Sequence, residues 1–70
     1  MERQYVNSSM IESIGYDVSS CILEVEFKSG AVWEYPNFPE YLWNEFLVAD
    51  SKGKFFHMYI RNQFPGNRIM

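Results

Sequence analysis

Cys21-Ile-Leu-Glu-Val-Glu-Phe-Lys-Ser-Gly-Ala-Val-Trp-Glu-Tyr35 is the stretch that decides the fold. Cys21, Leu23, Val25 and Phe27 alternate with Ile22, Glu24 and Glu26, the period-two pattern of a half-buried strand. Lys28-Ser-Gly30 reads as a short glycine-containing hairpin connection. On the returning strand Ala31, Trp33 and Tyr35 share one face, and Val32 and Glu34 share the other. Pro36 ends it, because proline has no amide to give to a ladder. In this pattern Cys21 is a small core residue at an inward position. Glu24 and Glu26 make a solvated face, since adjacent exposed carboxylates on a strand are far commoner than an acid–base pair.

The neighbouring segments extend this unit. Upstream, Met10 to Tyr16 alternates loosely, with Met10, Ile14 and Tyr16 on one parity and Ile11 opposed. Asp17-Val-Ser-Ser20 is a turn, as are Asn7, Ser8 and Ser9. Residues 3–7 carry a weaker extended signal. Downstream, Pro39 suits the first position of a helix, where its missing amide costs nothing. Leu42, Trp43, Phe46, Leu47 and Ala49 cluster on one side of that helix, while Tyr41 and Val48 point away. Asp50-Ser51 breaks it and starts a second helix, which Pro65-Gly66 ends. The tail after Pro65-Gly66 has room for a short strand through Arg68-Ile69. The expected fold class is α+β. A small antiparallel three-stranded β-meander, or a four-stranded one if a terminal segment joins, is followed by two helices packing on it. Residues 1–70 form one domain.

Composition limits the function classes. A chain of 70 residues buries only about 60% of its unfolded surface, so its core is small. Cys21 and His57 are the single cysteine and the single histidine, which leaves no intrachain disulfide and no zinc cluster. The polar start Met1-Glu-Arg-Gln-Tyr5 is not a signal peptide, and no apolar run is long enough for a membrane span. A cytoplasmic, reducing setting with no cofactor, no metal and no membrane partner is expected. Thirteen aromatics (two Trp, five Tyr, six Phe) are many for so small a core. Some should be exposed, and exposed aromatics mark partner surfaces.

Charge is distributed unevenly. Residues 51–70 hold Lys52, Lys54, Arg61 and Arg68 and no acid, while residues 1–50 hold nine acids against Arg3 and Lys28. The whole chain is net −3, so most of its positive charge lies in one segment beside Phe55, Phe56, Tyr59 and Phe64. Such asymmetry points to an anionic partner. On a helical projection Phe56, Tyr59, Ile60 and Gln63 fall on one face and Lys54, His57 and Arg61 on the other. Ser51 is a good N-cap. Lys52 and Lys54 are cations at the positive end of a helix dipole, which is unfavourable. With Gly53 they suggest a seat for a phosphate or carboxylate on the free amides. The alternative is a cap, a packing glycine and solvated lysines. Trp33 and Tyr35 point the same way from one strand and are candidates for stacking a base. Their alternative role is packing beneath Leu42 and Phe46.

No catalytic constellation assembles. His57 has Lys54 and Arg61 as helical neighbours rather than an acid to orient it, and no serine lies in a useful context with it. Neither a GxGxxG nor a GxxxxGK[ST] loop is present.

The order of short motifs resembles the KTSC domain, a small domain named after the C-terminal region of some lysyl-tRNA synthetases and also found as a free-standing bacterial or phage protein. The resemblance covers nearly the whole chain. It runs through Ser9-x-Ile11-x-x-Ile14-Gly15-Tyr16-Asp17, then Leu23-x-Val25-x-Phe27 and Gly30, then Tyr35. The most specific block is Ala49-x-Ser51-x-Gly53-x-Phe55-Phe56, followed by Ile60-Arg61. Three positions depart from the family pattern. Trp33-Glu34-Tyr35 replaces Tyr-x-Tyr, His57 stands where Asn is usual, and Phe64 stands where Tyr is usual. The resemblance implies RNA binding through the synthetase context.

These observations support two functional expectations. The first is a non-enzymatic binding module for RNA or a small anionic nucleotide, using Ser51, Lys52, Gly53, Lys54, His57 and Arg61, with Trp33 and Tyr35 stacking a base. The second is a protein-interaction or self-assembling module, with Tyr41 and Val48 at its interface. A phage-encoded inhibitor or sequestering protein is one example of that class.

Overall fold

The computed structural model describes residues 2–70. Five strands form one antiparallel sheet in the order β1 (Arg3–Tyr5), β2 (Ile11–Asp17), β3 (Ile22–Phe27), β4 (Val32–Tyr35) and β5 (Asn67–Arg68). Neighbours in the sheet are neighbours in sequence up to β4. The helical layer, α1 (Glu40–Val48) and α2 (Lys52–Phe55), then intervenes before the chain returns to the β4 edge. α2 continues into a π-helical turn, Phe56–Ile60, in which the Arg61 amide donates to the Phe56 carbonyl at 2.9 Å. The α+β class with two helices after the meander is as expected; both terminal segments join the sheet, which makes five strands.

β3 and β4 pair with Leu23 opposite Tyr35 and Val25 opposite Trp33. Directly opposed residues share a face, so Leu23, Val25, Trp33 and Tyr35 form the inner face and Glu24, Glu26, Val32 and Glu34 the outer one. Gly30 closes the hairpin at φ 98°, a conformation that side-chain-bearing residues rarely adopt.

Two strand readings are corrected. Ile11 does not oppose Ile14. The register shifts between Ile11 and Ser13, so Ile11 pairs with Phe27 and Ser13 with Glu26. This bulge flips the parity and buries Ile11 and Ile14 together. Cys21 is not a core residue. It precedes β3 with φ 58° and is exposed, because the tight turn from β2 consumes it.

One core lies between the inner sheet face and the helices. It includes Ile14, Leu23 and Val25 from the sheet, Leu42 and Phe46 from α1, and Phe55, Phe56 and Ile60 from the second helical segment. Both helices therefore cover the same face. Pro39 occupies the N-cap of α1 with extended backbone, one position earlier than expected. Ser51 caps α2 as expected, its hydroxyl accepting from the Lys54 amide at 3.2 Å.

The outer face is not simply wet. Arg3 from β1 lies across it, hydrogen-bonded to Glu24 and 4.0 Å from a Glu26 oxygen. Ser13 Oγ donates to Glu26 Oε1 at 2.8 Å. β1 passes so close to Gly15 that a Cβ there would lie 2.6 Å from the Glu2 carbonyl oxygen. No helix among the described residues is long and apolar enough to cross a membrane.

Candidate functional site

A groove of about 440 Å³ opens at the hairpin end of the inner face. Its floor is aromatic. Phe56 meets Phe27 edge-on at 5.2 Å and Tyr35 edge-on at 5.8 Å between ring centroids. Trp33 and Phe64 extend the walls, and His57 and Arg61 stand at the rim. Residues from β3, β4, the π-helical turn and the segment before β5 thus meet in one concavity.

The helical segment delivers His57 and Arg61 to this rim. Phe55, Phe56 and Ile60 are buried, which turns His57 and Arg61 outward. Arg61 Nη1 lies 3.3 Å from His57 Nδ1. A guanidinium can only donate, so Nδ1 accepts and the ring proton sits on Nε2. The pair therefore presents the His57 Nε2–H and the remaining Arg61 N–H groups as donors. The π-helical turn also changes the expected aromatic face. Tyr59 would fall between Phe55 and Phe56 on a regular helix, yet it is 46% exposed, and Gln63 is exposed as well. A turn closed between Phe56 and Arg61 carries one residue more than an α-helical turn and rotates the residues after it to new positions.

Tyr35 is a wall of the groove and not a stacking platform. Only 5% of it is exposed, and a Cβ on Gly66 would collide with its Cε2 atom, so the Gly66 backbone lies flat against the ring. Burial pushes the Tyr35 phenol above its ordinary pKa, and the nearby charge of Arg61 partly offsets this. Trp33 is less buried than Tyr35. Among the described residues no ring stacks on it, whereas Trp43 is stacked on Tyr16 at 5.4 Å.

The seat expected at the start of α2 is largely filled by the chain itself. Ser51 occupies the Lys54 amide. Lys52 Nζ donates to the Ala49 carbonyl at 2.7 Å, just past the end of α1. A cation at a helix C-terminus is favourable, so Lys52 obeys the dipole rule for α1 while breaking it for α2. A Cβ on Gly53 would meet Met10 Sδ at an ordinary 3.7 Å. Lys54 is exposed, one turn before His57. The structure thus brings Trp33, Tyr35, His57 and Arg61 together and leaves Ser51, Lys52, Gly53 and Lys54 outside the groove.

Tyr41 and Val48, seven positions apart on one side of α1, are 67% and 80% exposed. Sequence reasoning missed Phe27 and Phe64 as groove residues. Their apolar character pointed to the core, and only their place at the end of the sheet leaves them on its margin.

Comparison with known proteins agrees with this architecture. A model of the KTSC domain matches residues 7–64. An uncharacterized protein from Stutzerimonas stutzeri is 41% identical over 63 residues, covering 90% of this chain and 89% of that protein. A lysine--tRNA ligase from Nostoc sp. is 38% identical over 61 residues, which are 87% of this chain and 11% of the ligase. The crystal structure of the KTSC domain protein YPO2434 from Yersinia pestis superimposes with a TM-score of 0.95 at 39% identity, covering 99% of this chain and 97% of that one. With the match spanning β2 through the π-helical turn, and with the fold shared throughout, this chain belongs to the KTSC domain family.

Proposed function

We propose that this domain binds RNA by taking one unpaired nucleotide into the groove. What carries the reading is the meeting of an unstacked Trp33 ring with the Arg61–His57 pair in a single concavity. The ring stacks a base, a contact worth about 1–3 kcal/mol. The guanidinium and the imidazole N–H hold the adjoining phosphate. Lys54, exposed one turn earlier in the helical segment, adds a positive charge outside the groove. The relationship to proteins whose name specifies a tRNA substrate is consistent with RNA as the ligand.

The test follows Trp33 fluorescence in a Trp43→Phe variant while a single-stranded RNA oligonucleotide is added. Quenching is expected that saturates and weakens as salt rises. The slope of log K against log salt should be shallow, about −1.5 to −2 for the two or three phosphates these cations meet. Joint reversal of Lys54 and Arg61 to Glu should abolish it. Unchanged fluorescence at low salt would remove the nucleotide reading.

A second reading rests on the exposed Tyr41–Val48 stripe of α1. It makes the domain a protein-interaction or self-assembling module, and it uses a different side of the molecule from the groove.

A further inference from the structure

Arg68 stands next to the groove, paired with its wall residue Trp33 but not itself part of the lining. In the β4–β5 pairing Arg68 lies directly opposite Trp33. Opposed residues of an antiparallel pair project from the same face, with Cβ atoms about 4.5–5.5 Å apart. Trp33 therefore has Val25 on one flank and Arg68 on the other. Arg61 reaches the groove from the helical layer above. The two arginines thus belong to different layers of the fold, Arg61 to the helical layer and Arg68 to the sheet beside Trp33.

The Arg68 guanidinium is held in place. Its Nε donates to the Met70 main-chain oxygen at 3.0 Å. Met70 is itself tied to the sheet, the same main-chain oxygen accepting from the Val32 amide at 3.0 Å. The outer N–H groups of Arg68 have no acceptor among the described residues. A guanidinium anchored through Nε presents its remaining fork for two-point contact with a phosphate. The outer sheet face offers no equivalent, because Arg3 there is engaged by Glu24 and Glu26.

We propose that the groove takes an internal nucleotide of a single strand, with a phosphate on both its 5′ and 3′ sides. One phosphate meets Arg61 and the other meets Arg68, while the base lies on Trp33. This rests on the reading of the groove as a nucleotide site and adds the polarity of the ligand to it. A terminal or free monophosphate nucleotide satisfies only one of the two arginines.

The test is an NMR titration of the full chain with adenosine 5′-monophosphate, adenosine 3′-monophosphate, adenosine 3′,5′-bisphosphate and the trinucleotide ApApA. The bisphosphate should bind about tenfold more tightly than either monophosphate, as a second charge-assisted contact requires. The trinucleotide should shift the same groove resonances. In Arg68→Ala, which leaves the β5 backbone intact, the bisphosphate should fall to the level of one monophosphate. Arg68→Lys should recover part of the loss, since it keeps the charge without the fork.

If the monophosphates bind and the bisphosphate gains nothing, or if Arg68→Ala changes nothing, the second contact is wrong while the nucleotide site stands. If the bisphosphate binds and ApApA does not, the ligand is a free bisphosphate nucleotide and the strand assignment fails. If no nucleotide shifts any groove resonance, both this inference and the nucleotide reading fall, and a protein partner takes their place.

Discussion

Single residues here often serve a neighbour other than the one their sequence position suggests. Lys52 looks misplaced at the start of α2 until its Nζ is found on the Ala49 carbonyl at the end of α1. Tyr16 sits on β2 but fastens the loop before α1, its hydroxyl donating to the Phe38 carbonyl at 2.5 Å. Burial, with contributions from Cys21, Glu40 and Asp17, pushes its pKa from 10.0 to about 12. The neutral phenol is thus favoured in the folded state. That contribution is fully present below pH 10, the unfolded value, and is lost as pH rises through 12. Urea unfolding of the wild type and Tyr16→Phe at several pH values should show it. The wild type should be more stable below pH 10 by about 1 kcal/mol, one hydrogen bond, and the difference should vanish as pH approaches 12. A difference that stays constant across that range would show that the phenol does not titrate with folding.

Elements differ in what sets them. The β3–β4 hairpin arises from alternation, a glycine at positive φ and a closing proline, all local features. α1 arises from its apolar stripe, and Leu42 and Phe46 are buried as that stripe requires. β2 was legible as a strand but not in its facing, because a bulge is a choice made between two strands. The second helical segment was legible in its cap and its cations. Its π-helical turn depends on Phe55, Phe56 and Ile60 all reaching the core. Two variants should separate core from cap on this element scale. Phe46→Ala empties a site at 0% exposure against the stacked Phe55 ring, and it should cost about 3–5 kcal/mol. Ser51→Ala removes one capping hydrogen bond and should cost about 1 kcal/mol. Chemical denaturation followed by circular dichroism measures both. Equal losses would mean that α2 is held by its cap as much as by its packing.

For the molecule as a whole, the two functional readings use separate surfaces. The groove lies at the hairpin end of the inner sheet face, and the Tyr41–Val48 stripe lies on α1. The net charge of −3 repels a long polyanion, so a local positive rim suits a short contact with few phosphates. Replacing Tyr41 and Val48 together by Ser should therefore leave RNA-dependent Trp33 quenching unchanged. If the chain self-associates, the same double variant should lower its mass in light scattering to that of one 8.3 kDa chain. Loss of quenching in that variant would show that the two surfaces are one site. The KTSC family membership was legible from the spacing of short motifs, since those motifs are the turns and buried positions that make the fold.

The sequence alone determined the strand–hairpin–strand unit, the two helices, the cap at Ser51 and the concentration of cations after residue 50. These are local properties: alternation, helical periodicity, turn chemistry and charge. Only the tertiary structure decided that both helices cover one face, that Tyr35 is sealed by Gly66, and that Lys52 serves the preceding helix. It also decided that Arg68, in the final residues, lies beside Trp33. Each of these depends on contact between segments far apart in the chain. Such contacts are set by how the layers close over a shared core, which no local pattern encodes.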